Sequence, residues 1–124
     1  MRRIPTIAFA CTVIASAASA TESLEDRGCN ADFAAAARYL APGSPEWKAM
    51  ANHSIDLNRK YPEDWTDDEA LDTKRRHHGD MEEVLARIKS GDTTIEQVFA
   101  GVNACETRLG MPMSVLKVGR QPTD

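Results

Sequence analysis

Three histidines, His53, His77 and His78, are the side chains best suited to metal or acid–base chemistry in this chain. His77 and Met81 are four residues apart, as are His78 and Glu82, and Met50 and His53 are three apart. Residues at these spacings share a helix face, and imidazole with thioether donors suits copper, zinc or a haem iron. The set nonetheless falls short of a metal motif. His77 and His78 close the polar run begun by Lys74, Arg75 and Arg76, at most one of them faces a core, and no second ligand cluster has the spacing of a closed site. There is no CxxCH for covalent haem. The methionines suit a core as filler. The sequence therefore predicts no bound metal or cofactor, and leaves His53, His77, His78, Met50 and Met81 as the donor set of the alternative reading, a metal- or haem-handling bundle.

Carboxylates come next. Glu63, Asp64, Asp67, Asp68, Glu69 and Asp72 crowd one stretch and are followed by Lys74, Arg75 and Arg76. No D-x-D-x-D-G run with a closing glutamate is present, so the stretch is not an EF-hand loop. Acids at a helix start, bases further on and an Asp72–Arg76 pair four apart describe a solvated helix. Nucleophiles lack a setting too: Ser44, Ser54, Ser90 and Ser114 have no glycine-flanked elbow, and no phosphate-cradling glycine loop occurs. Trp47, Tyr61 and Trp65 bracket the second predicted helix and the YPEDW turn; they supply core area, or an aromatic patch for a partner.

The elements that must position these groups read as helices. Residues 93–109 carry the clearest core stripe: Ile95, Val98, Phe99, Val102, Cys105 and Leu109 recur at helical spacing. Thr93 and Glu96 form a capping box at its start, and Gly110 with Pro112 closes it. Cys29, Phe33, Ala36, Ala37 and Leu40 share a face of an alanine-rich helix, approached by a polar, frayed segment, residues 21–28. Ser44, Pro45 and Glu46 give the cap, first turn and dipole partner of a helix through Trp47, Met50, Leu57 and Tyr61. A further helix opens at a Thr66–Glu69 capping box and runs to Lys89, as one piece bent at Gly79 or as two. Residues 111–124 form a tail with an apolar patch (Met113, Val115, Leu116, Val118). Residues 115–118 are the nearest thing to a strand and are too short to found a sheet.

The first 20 residues predict a signal peptide: Arg2 and Arg3, an apolar run with Pro5, then Ala18-Ser19-Ala20. At 17 residues, and rich in alanine and serine, the run from Ile4 to Ala20 is short for a membrane span. Removal of the leader leaves 104 of the 124 residues, one domain. Arg2 and Arg3 are its only charges, so the formal charge moves from −4 to −6. That argues against nucleic acid or an anionic membrane as partner. Cys11 leaves with the leader. Cys29 and Cys105 remain, an even number in an oxidising compartment. Their one intramolecular pairing closes 76 residues, worth about 4.5 kcal/mol on the chain-entropy account.

The expectation is thus an exported all-α protein: a signal peptide (residues 1–20), a flexible approach (21–28), one four-helix domain (29–110) stapled by Cys29–Cys105, and a tail (111–124). Small, exported, all-helical and with one disulfide, it resembles in plan the acid-activated periplasmic chaperones, a likeness carried by the two cysteines and composition and not by a motif. No convergent catalytic group emerges. The function expected is a non-enzymatic protein-binding module (chaperone, inhibitor, immunity-type or accessory protein) in the periplasm or outside the cell, with Trp47, Tyr61 and Trp65 as candidate partner contacts.

Overall fold

The structure, a computed structural model, describes residues 22–61 and 67–122. The predicted leader, Glu63, Asp64, Trp65 and the Thr66 cap lie outside these residues. Four helices follow in order: α1 (Leu24–Ala37), α2 (Pro45–Asn58), α3 (Asp67–Ser90) and α4 (Ile95–Leu109). Among the described residues there is no strand, and no helix is long and apolar enough to cross a membrane.

Helix α1 is the centre, and α2, α3 and α4 each pack against it. Its side chains explain this. Cys29, Ala31, Phe33, Ala35 and Ala36 are all buried, so burial runs round the helix and is not confined to one stripe. Alanine brings neighbouring helix axes close on several sides. The one-sided stripe of α4 is easier to see in a sequence, yet α4 is one of three satellites. Cys29 and Cys105 are joined, tying α1 to α4 with 5.9 Å between their Cα atoms. Leu40, Met50, Leu57, Val98, Phe99 and Val102 complete the core, and Val84, Leu85 and Ile88 pack on it from α3.

The caps follow local chemistry. Ser44 caps α2 by accepting from the Trp47 N–H at 3.2 Å, with Pro45 as first residue. Helix α3 passes unbroken through Gly79. Helix α4 uses Thr94 and Gln97 as its capping box, in place of Thr93 and Glu96. Thr93 is committed to the preceding turn, its N–H donating to the Arg87 carbonyl at 3.2 Å, which shifts the cap by one residue. Gly110, at φ 70°, takes the left-handed conformation that ends α4. Residues 22–28 also differ from expectation. They carry the cap and first turns of α1, with Ser23 accepting from the Asp26 N–H at 3.1 Å.

Candidate functional site

Three buried carboxylates organise the polar groups of the fold. Asp26, 1% exposed on α1, accepts from Lys60 at 2.9 Å, from Arg108 at 2.9 Å and from the Tyr61 hydroxyl. Burial alone would raise its carboxyl, but hydrogen bonds from Tyr61, Lys60 and Arg108 outweigh this and hold it at about 2. Burial, together with donation to Asp26, raises the Tyr61 phenol in turn. The cluster locks the start of α1 to the ends of α2 and α4.

Glu106, fully buried on α4, is the second hub. It accepts from Ser114 Oγ at 2.6 Å, His53 Nε2 at 2.7 Å, Asn103 Nδ2 at 2.8 Å and the Ser114 N–H at 3.1 Å. Burial pushes its carboxyl up; these four donors pull it down further, so it is ionised. An ionised carboxylate only accepts, so His53 Nε2 carries the proton of that bond. Serine, histidine and glutamate here are not a nucleophilic triad. The hydroxyl proton points to the carboxylate and not to the imidazole, so no base is placed to activate the serine.

Glu22, just before α1, is the third. It accepts from Arg76 at 3.0 Å, His77 at 3.0 Å and Asn30 at 3.1 Å. Asn30 also donates to Asn58 at 2.8 Å and accepts from Ser54 at 2.8 Å.

Asp32 behaves differently. Among the described residues its carboxylate has no hydrogen bond or ion pair. It lies against Gly101, where an added Cβ would stand 2.8 Å from Asp32 Oδ2, and opens onto a cleft of about 410 Å³ rimmed by Arg27, Asp80, Glu83 and Arg87. Burial raises it to about 6, with Arg87 pulling weakly the other way.

The remaining feature is the segment after α4. Residues 111–122 belong to no helix or strand. Ser114 is clamped through Glu106 and by Asn103 Nδ2, which donates to its carbonyl at 3.0 Å. The N–H groups of Gly119 and Arg120 both donate to the Tyr39 carbonyl, at 2.7 and 3.2 Å. Leu116 packs inward on the core. Met113, Val115 and Val118 are 59%, 78% and 41% exposed.

The sequence-predicted residues fall as follows. Trp47 is half-buried against the core, and Tyr61 is half-buried with its hydroxyl on Asp26; Trp65 is outside the described residues. Each histidine meets its own carboxylate: His53 meets Glu106, His77 meets Glu22, and exposed His78 lies 3.6 Å from Glu82. Met50 is buried in the core and Met81 packs on its edge. Among the described residues no group of three or more His, Cys, Asp or Glu is placed to hold a metal ion. Asp72 pairs with Arg75 at 3.6 Å, leaving Arg76 for Glu22. The hubs Asp26, Glu106 and Glu22 had been missed in the sequence; only Glu106 left a signal there, four residues after Val102 and three before Leu109 on the apolar side of α4. No family model, curated protein or solved structure matches the chain.

Proposed function

We infer that this is an exported, non-enzymatic module that binds another protein and presents residues 113–118 to it. The supporting observation is where exposed apolar surface gathers. Leu24, Ile55 and Leu71 are exposed singly on three different helices, which is ordinary for a soluble protein. Met113, Val115 and Val118 are exposed on one segment whose two ends are fastened, to Glu106 of α4 and to Tyr39 in the turn after α1. Exposed apolar side chains gathered on one fastened segment favour an interaction surface. The ionised hubs favour the same reading: Asp26 and Glu106 spend their acceptors on holding helices together, which is structural work. The disulfide is consistent with export.

The test is a photo-crosslinking amino acid placed at Val115, or at exposed Lys74 on α3 as comparison, in cells that export the protein. The expected result is a discrete adduct from position 115 that position 74 does not give. No adduct, or the same adducts from both positions, would contradict the reading.

A further inference from the structure

We propose that residues 113–118 engage their partner by strand addition: an edge β-strand of another protein pairs with the main chain of this arm and sets an acidic side chain opposite Lys117. This rests on the protein-binding reading above and gives it a partner class.

The main chain carries the argument. Residues 115–118 lie in neither helix nor strand, and among the described residues none of their N–H or C=O groups makes a hydrogen bond. From Met113 to Lys117 exposure alternates as in a strand: Ser114 and Leu116 are partly covered, Met113, Val115 and Lys117 are exposed, and Val118, also exposed, ends the alternation. The length matches a common strand. Both ends are already fixed, at Ser114 by Glu106 and at Gly119 by Tyr39, so much of the ordering cost of a docking strand is met before the partner arrives. Main-chain pairing then supplies affinity, and the outward side chains supply selectivity.

An unpaired row of donors and acceptors is satisfied by an extended chain, not by a helix, whose own main-chain groups are used internally. Charge selects among extended chains. Lys117 makes no ion pair among the described residues, and no acidic residue occurs from Thr107 to Thr123. A second copy of this arm would bring the same lysine and no acid. A lysine on an exposed edge also discourages indiscriminate pairing. The occupant is therefore a different protein with an acidic residue on its edge strand.

The experiment uses the oxidised mature chain, residues 21–124, labelled with ¹⁵N, and a capped seven-residue peptide of alternating threonine and valine with a central glutamate. The expected result is saturable amide shifts confined to residues 113–119, with exchange of at least two amides of residues 115–118 slowed tenfold or more at saturation. Lys117→Glu, at an exposed position, should weaken binding several-fold, and a peptide N-methylated at alternate residues should not bind. Saturable shifts elsewhere that spare residues 115–118 would overturn strand addition while leaving a protein-binding surface to be mapped. Absence of any shift at millimolar peptide would also overturn it, and the Val115 crosslinking result would then decide the broader reading alone.

Discussion

Asp26 and Asp32 lie six residues apart on α1 and are driven in opposite directions. Both are pushed up by burial, but only Asp26 has donors to reverse it. With its folded value near 2 against an ordinary 3.8, Asp26 binds its proton less tightly when folded. Its contribution to stability is present above about pH 4 and is lost as pH falls through about 2. Asp32 has the opposite sign. With a folded value of about 6, the native chain holds that proton more tightly than the unfolded chain, so stability falls as pH rises from about 4 to 6 and stays lowered above. Replacing the carboxylate with a neutral isostere should remove this penalty. Asp32→Asn is expected to stabilise the protein by about 1–2 kcal/mol at pH 7.5, a figure reduced for partial solvent contact, and to change little at pH 4. Urea titrations at the two pH values check this; an equal effect at both would refute the assignment.

At the scale of elements, the features that local chemistry dictates were legible in the sequence, and those made by distant partners were not. The helical class, the four segments, the Ser44-Pro45 start, the Gly110 stop and the pairing of Cys29 with Cys105 follow from caps, breakers, periodicity and cysteine count. The central place of α1 does not, because apolar positions all round a helix leave no stripe to see. Residues 22–28 read as a polar approach because the donors that bury Asp26 come from Lys60, Tyr61 and Arg108, up to 82 residues away. Glu106 shows the same limit: His53 is 53 residues distant. Residues 115–118 read as the nearest thing to a strand, and they lie in a segment that forms no strand. What was not visible is how that segment is fastened, at Ser114 by Glu106 and at Gly119 by the Tyr39 carbonyl. Gly119 explains part of this, since a Cβ there would stand 2.6 Å from the Ala41 nitrogen. Only glycine allows the arm to lie that close to the turn after α1.

At the scale of the molecule, the disulfide and the three carboxylate hubs serve one end: they join elements far apart in sequence around α1. The Cys29–Cys105 link spans 76 residues, and Cys105→Ser should cost about 2–5 kcal/mol in oxidised protein. Under reducing conditions the variant and the parent should melt alike, because both then lack the cross-link; a loss of equal size in both states would mean that the cysteine acts through packing. The central claim, however, is that this joined body holds a pinned arm ready for a partner. The most direct test is ¹⁵N relaxation of residues 113–120 in the free, oxidised protein, alongside Gly119→Ala. The account predicts order parameters of about 0.85 for the parent arm, equal to those of the helices, and a clear fall in the variant as its second pin is displaced. Values below about 0.6 in the parent would describe a loose tail, and would contradict both the pinned arm and the mode of binding built on it.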